Sequence, residues 1–150
     1  MSQGNFDTAA LRHLLGYALA QARVSTNRAF FAGVGESLQL RPVEFSLLVL
    51  LHANADVNQR DLLDALNLNA PNLTILINKL QERALVTRER STTDRRAQQV
   101  QLTDAGRTLA AQASTLSQDM EADIRKRFSA AEWAMLLELL QRAAVPAADR

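Results

Sequence analysis

Five arginines, Arg83, Arg88, Arg90, Arg95 and Arg96, fall close together, with only Glu89 and Asp94 as acids among them, a local net charge of +3. The whole chain of 150 residues carries 17 Lys+Arg against 16 Asp+Glu, so the remainder is slightly acidic. A guanidinium is planar, weakly hydrated and always charged, which suits phosphate and the narrow minor groove of DNA. A charge run is by default a solvated loop, so its setting decides between the two readings. Upstream lies a polar series: Asn58, Gln59 and Arg60, then Asn69, Asn72, Thr74, Asn78 and Lys79, with Ile75 among them. Asparagine can bond an adenine edge and lysine a phosphate, while Ile75 can offer only apolar contact, for instance to a thymine methyl. Asn69 reads equally well as a helix cap.

Chemistry of other kinds lacks residues to perform it. The chain has no Cys, which removes disulfides, thiolate nucleophiles and zinc fingers. His13 and His52 have no acidic or histidine partners at metal-ligand spacing, so neither a metal nor a cofactor is expected. There is no glycine-rich phosphate loop, Ser/His/Asp order or distinctive carboxylate pair, so no catalytic residue is named and an enzyme is not expected.

The polar series must be positioned by helices. Leu11, Leu14, Leu15, Ala18, Leu19 and Ala22 mark one face of a helix that Asp7 or Thr8 can cap. Val24, Ala29 and Phe30 extend it to about 25 residues, until Gly33 and Gly35 break it. A second helix opens at Pro42 and runs through Phe45, Leu48, Val49 and Leu51. Asn58 with Asp61 caps a short third helix through Leu62, Leu63 and Leu66. After a turn at Asn67 to Asn69, Asn69 caps a fourth, striped by Leu73, Leu76, Ile77 and Leu80. Two short helices with a tight turn between them form a helix-turn-helix candidate.

The period then changes. Leu85 to Thr87 reads as a strand, Arg88 to Arg96 as a charged tip, and Gln98 to Leu102 as an alternating strand. Helix-turn-helix followed by hairpin is a winged helix, and in that setting the arginine run reads as a DNA-binding wing. Thr103 caps a further helix whose apolar positions Leu109, Ala113, Leu116, Met120 and Ile124 lead to Phe128. Ser129 and Glu132 open a last one with Trp133, Leu136, Leu137 and Leu140 on one side.

The expected fold is therefore mainly α, a single domain over 1–150. Within it, 55–102 forms a winged helix-turn-helix lobe with a two-stranded β-hairpin wing. Long terminal helices, 7–34 and 104–145, flank a lobe too small to cover their apolar faces, and a homodimer interface covers them economically. Two-fold symmetry also suits a pseudo-palindromic operator in double-stranded DNA. The longest apolar run, Leu47 to Leu51, falls far short of the ~20 residues a bilayer requires, and the N-terminus does not read as a signal peptide. A cytoplasmic protein without a membrane partner is expected.

One stretch carries a more specific resemblance. Asp94-Arg95-Arg96 followed by Val100-Gln101-Leu102-Thr103-Asp104-Ala105-Gly106 resembles the wing signature of the multiple-antibiotic-resistance regulator (MarR) family: Asp-x-Arg, a strand, then Leu-Thr-x-x-Gly. Leu73-Thr74, Leu80 and Leu85-Val86 sit where that family has its recognition helix and following strand, and Leu40 to Leu51 is similar to its second helix. The resemblance implies a homodimer, a recognition helix in the major groove and wing arginines in the adjacent minor groove, with Asp94 orienting the wing. It further implies repression relieved by a small phenolic or aromatic acid ligand, or its thioester, in a cleft between the dimer helices and the DNA-binding lobe.

Carried onto this chain, that cleft draws on Tyr17, Arg23, Arg28, Phe30, Phe45 and His52. Without the resemblance, the aromatic residues read as core and the arginines as solvated or salt-bridged. Two positions depart from the family pattern. Ala84 stands where many relatives have Gly, so a left-handed backbone there would be strained, and Ile75 cannot donate to guanine. Absence of Cys excludes thiol-based peroxide sensing. The reading of another class is a winged-helix adaptor whose wing docks an acidic protein without sequence-specific DNA binding.

Overall fold

The computed structural model describes residues 7–90 and 98–144. After one 3-10 turn at Ala9–Leu11, the chain forms α1 (Leu15–Phe30), a π-helical turn (Phe31–Gly35) and α2 (Glu36–Leu38). Then come α3 (Pro42–Ala53), α4 (Gln59–Leu66), α5 (Ala70–Glu82), β1 (Val86–Arg90), β2 (Gln98–Leu102), α6 (Asp104–Ser117), α7 (Ala122–Arg125) and α8 (Ala130–Ala143). None of the described helices is long and apolar enough to cross a membrane.

Side-chain caps set the starts of four helices. Asp61 N–H donates to Asn58 Oδ1 at 3.0 Å while Asn58 N–H donates to Asp61 Oδ2 at 3.0 Å, a reciprocal pair that starts α4. Asn72 N–H donates to Asn69 Oδ1 at 2.9 Å to start α5, whose first turn accommodates Pro71 because no N–H is needed there. Gly106 N–H donates to Thr103 Oγ1 at 3.0 Å for α6, and Ser129 and Glu132 exchange two bonds for α8. Each such cap stabilises its helix by about 1 kcal/mol.

Four expectations are corrected. The first long helix is not capped by Asp7 or Thr8: those residues precede only the 3-10 turn, and α1 starts at Leu15 after an extended Leu14 without a side-chain cap. Gly33 and Gly35 do not end the first helix. The chain passes through them as a π turn to Leu38 and stops at Gln39, whose φ of 52° leaves the helical path. Both glycines are needed for close approach: a Cβ at Gly33 would lie 2.8 Å from Met120 Cβ, and one at Gly35 2.6 Å from the Phe31 ring. The helix after Thr103 does not continue to Phe128 but ends at Ser117, and the turn that follows puts Met120 against Gly33. The first strand extends to Arg90, so Arg88 lies within the hairpin rather than at its tip.

β1 and β2 pair antiparallel with Val86 opposite Leu102 and Arg88 opposite Val100. On the other edge of β2, Val100 N–H donates to Val57 O at 3.2 Å and Asn58 bridges Gln99, so the entry to α4 acts as a third, minimal strand. One core runs through the whole assembly. It contains Leu47 and Leu48 of α3, Leu62 of α4, Leu73, Ile77 and Leu80 of α5, Val86 and Val100 of the hairpin, and Ala110 and Ala113 of α6. Each leucine-sized side chain fully removed from water stabilises by roughly 1.5–3 kcal/mol, so α5 and the wing are held on a rigid base. The terminal segments differ. Phe30 is the one buried residue of α1, and α8 has none, leaving Leu15, Leu19, Val24, Met135, Leu137 and Leu139 exposed.

Candidate nucleic-acid interface

α5 is two-faced. Leu73, Leu76, Ile77 and Leu80 are buried, while Asn72, Thr74, Ile75, Asn78 and Lys79 are exposed together on the opposite side. Five of the residues expected to touch DNA therefore share one solvent-facing surface. Asn69 is exposed just ahead of them with its carbonyl oxygen engaged as the cap of α5, which confirms the cap and leaves its amide nitrogen as the group that can reach outwards. Thr74 Oγ1 donates back to Ala70 O at 2.9 Å, so the hydroxyl hydrogen is already committed within the helix.

The start of α4 presents Asn58 and Gln59 half-buried and Arg60 exposed. Helix starts leave N–H groups without intrahelical partners, which here applies to those of Gln59 and Arg60, while the Asn58 N–H is held by Asp61. This site adjoins the hairpin directly, since Asn58 bridges Gln99.

On the wing, Arg88 is half-buried and its Nη1 donates to Gln81 Oε1 at the end of α5. It braces the hairpin against the helix. Arg90 ends β1, and Asp94, Arg95 and Arg96 lie outside the described residues. Arg83, counted within the basic run, is engaged elsewhere: its Nη1 donates to Gln39 O at 3.1 Å and stands 3.9 Å from Glu44 Oε2.

The wing signature has a physical basis in this geometry. Thr103 Oγ1 donates to Ala84 O at 2.7 Å and accepts the Gly106 N–H, so one hydroxyl ties the end of α5 to the start of α6. Thr103 N–H also donates to Leu85 O at 3.1 Å. A Cβ on Gly106 would lie 1.9 Å from that same Leu85 oxygen, so only glycine lets α6 approach the base of the wing. Ala84 does adopt the left-handed conformation, φ 54°, at the strain anticipated for a residue with a Cβ.

The residues assigned to a ligand cleft are only partly gathered. Phe30 is buried and meets Phe45 edge-on at 5.6 Å and Phe31 at 5.4 Å. Arg28 borders a separate concavity of about 470 Å³ between the end of α1 and α7, with Gly33, Met120, Asp123 and Arg127. Lys126 Nζ bonds Asp123 Oδ1 at 2.8 Å, and that bond holds the Asp123 carboxyl below the ordinary carboxylate range. His52 is exposed and borders a different hollow of about 390 Å³ with Val57, Gln101 and Arg107. Tyr17 is half-buried and Arg23 exposed on α1, at the border of neither hollow.

The features that sequence reasoning missed are long-range ones: the Arg83 clamp, the Arg88–Gln81 brace and the buried Gln99 beside Asn58. Gln99 carried a weak signal, as a polar residue in an alternating strand. The other two carried none, because an arginine's partner is set by tertiary structure.

With this geometry in place, comparison with known proteins is decisive. The model of the MarR family matches residues 38–97, which span α3, α4, α5 and β1 and stop short of β2. The transcriptional repressor CouR, solved bound to a 23-mer DNA duplex, is 33% identical with a TM-score of 0.82, over 93% of this chain and 98% of that one. The chain belongs to the MarR family.

CouR from Rhodococcus jostii RHA1 bound to p-coumaroyl-CoA is 26% identical over 93% of this MarR-family chain and 97% of that one, with a TM-score of 0.81. MgrA, an HTH-type transcriptional regulator from Staphylococcus aureus, is 27% identical over 77% of this chain and 86% of its own. The chain is thus a DNA-binding transcriptional regulator of MarR type with a winged-helix fold, not an enzyme.

Proposed function

We propose that this MarR-family regulator is a cytoplasmic homodimeric repressor that leaves a pseudo-palindromic operator when a small aromatic acid or its coenzyme A thioester binds. The observation that carries the reading is the exposed polar face of α5 beside a basic hairpin, on a fold shared with a repressor solved on a DNA duplex. α5 enters the major groove and contacts bases through Asn69, Asn72, Thr74, Ile75 and Asn78, with Lys79 on phosphate. Asn58, Gln59 and Arg60 hold phosphate at the start of α4. Arg90, Arg95 and Arg96 reach the minor groove, with Asp94 and Arg88 fixing the wing that carries them.

The domain assignment follows the same logic, with 55–102 as the DNA-binding lobe and 7–34 and 104–145 as dimerisation helices. Support comes from the exposed Leu15, Leu19, Met135, Leu137 and Leu139, which one chain leaves in water. The effector reading draws on the p-coumaroyl-CoA complex of CouR and on the two separate hollows bordered by Arg28 and by His52. An adaptor role is disfavoured, because protein docking at this face calls for an apolar surface and α5 offers asparagines, a threonine and a lysine around Ile75.

Footprinting on the DNA upstream of the gene tests the reading, repeated with a panel of aromatic acids and their coenzyme A thioesters. A protected pseudo-palindrome released by one compound is the expected result. Protection that no compound relieves contradicts ligand control.

A further inference from the structure

From the side chains of α5 we infer that this regulator reads adenine and thymine, not guanine, beneath its recognition helix, with Ile75 seated on a thymine methyl group. The inference rests on the proposed placement of α5 in the major groove and adds the class of operator that the helix selects.

Position comes first. At ~100° per residue, Ile75 lies roughly 150° round the helix from the buried stripe of Leu73, Leu76, Ile77 and Leu80, near the centre of the outward face. Pro71 and Asn78 lie beside it along the helix, and Asn72, Thr74 and Lys79 flank it. Ile75 is 53% exposed, so the centre of the face offers a branched hydrocarbon to whatever it meets.

Donor chemistry comes second. Guanine is read in the major groove by two donors aimed at O6 and N7, the work of arginine or lysine, and its pairing partner cytosine by an acceptor such as Glu or Asp. From Ala70 to Glu82 α5 contains no arginine; its cation is Lys79, near the helix end, and its acid Glu82, on the last turn. Thr74 has its hydroxyl hydrogen committed to Ala70 O, so it turns an acceptor oxygen and a methyl outward. Besides Lys79, proposed above for phosphate, and the Asn69 amide ahead of the helix, the donors on the face are the amides of Asn72 and Asn78, and an asparagine amide matches adenine N6 and N7. Ile75 and the Thr74 methyl match the C5-methyl of thymine, the one apolar group on the major-groove floor. Residue types that read A·T line the face around Ile75, and those that read G·C, Lys79 and Glu82, stand only toward its C-terminal end.

The test uses the full-length wild-type protein and duplexes selected from a randomised pool. Within a selected site, each thymine is replaced singly by deoxyuridine, which removes the methyl alone, and each adenine by 7-deazaadenine, which removes N7. Binding is measured for wild type and for Ile75→Ala. The variant keeps the fold because the residue is exposed and alanine favours helix.

One deoxyuridine per half-site is expected to weaken wild type roughly three- to fivefold, as for the loss of one buried methyl, and to leave Ile75→Ala unaffected. One or two deaza positions should cost about tenfold. Selected sites with a fixed G·C pair under the helix, or deoxyuridine effects equal in wild type and Ile75→Ala, overturn the inference while DNA binding stands. A pool that yields no preferred sequence overturns it together with the reading it rests on.

Discussion

Arg83, at the C-terminal end of α5, donates from Nη1 to the carbonyl oxygen of Gln39 at 3.1 Å, joining α5 to the end of the segment that began as α1. Nη2 reaches Leu38 O at 3.5 Å, and Glu44 Oε2 lies 3.9 Å away, itself fixed by the Arg41 N–H at 2.8 Å. Leu38 and Gln39 end their helix with carbonyls that have no intrahelical donor, and the guanidinium supplies one. Arg83 thus sits within the basic run yet serves the fold. Arg83→Met is expected to lower unfolding free energy by about 1–2 kcal/mol, discounted for partial exposure. The slope of log affinity against log salt should stay unchanged, because no phosphate contact is lost. Urea denaturation and a salt titration of operator binding check both parts.

The junction between α5 and the wing offers two opposed glycine tests. Ala84 holds φ 54° with its carbonyl fixed by Thr103, so Ala84→Gly should stabilise by about 0.5–1 kcal/mol as strain at Cβ is relieved. At Gly106 the opposite holds, since an added Cβ would stand 1.9 Å from Leu85 O and the backbone must move. Gly106→Ala should cost at least ~2 kcal/mol. Thermal unfolding of both variants checks the pair of signs.

On α8, Leu137 is 45% exposed and lies outside the buried core. Leu137→Glu should therefore leave the helical content of the chain intact while weakening self-association at least about tenfold, the effect of a charge in an apolar interface. Analytical ultracentrifugation measures it. Equal sedimentation of variant and wild type would place the dimer contact elsewhere.

Glu132 accepts the Ser129 N–H at 2.8 Å, and that bond holds its carboxyl below the ordinary glutamate range. A group with a lowered pKa in the fold contributes stability above its unfolded value and loses it as pH falls through the folded one. The first turn of α8 should thus fray on acidification below the usual glutamate range. Amide exchange at Trp133 and its neighbours is the measurement, and Glu132→Gln should flatten the dependence.

Much of this is legible in the sequence. Asn58, Asn69, Thr103 and Ser129 announce helix starts because capping is local chemistry, and each caps as expected. The alternation from Gln98 to Leu102 likewise marked β2 with its observed ends. The π turn was not legible, because glycines in a helical pattern normally signal a stop, and here they admit Met120 and the Phe31 ring instead. The end of α6 at Ser117 was hidden for a related reason: Met120 keeps the helical period yet meets Gly33 from a turn. Among the site residues, the exposed face of α5 followed from the period of its buried stripe. The separation of Arg28 and His52 into different hollows did not, since it depends on how α1 and α3 pack.

On the proposed reading, α5 and the wing bind DNA through a concentrated positive charge in an otherwise nearly neutral chain. The most direct measurement is the affinity for the upstream operator duplex as a function of salt. A doubling of salt from near-physiological strength should weaken binding at least about tenfold, as expected when six or more phosphates are neutralised per dimer. Binding that is absent, or that holds its affinity across the same range, would contradict the account.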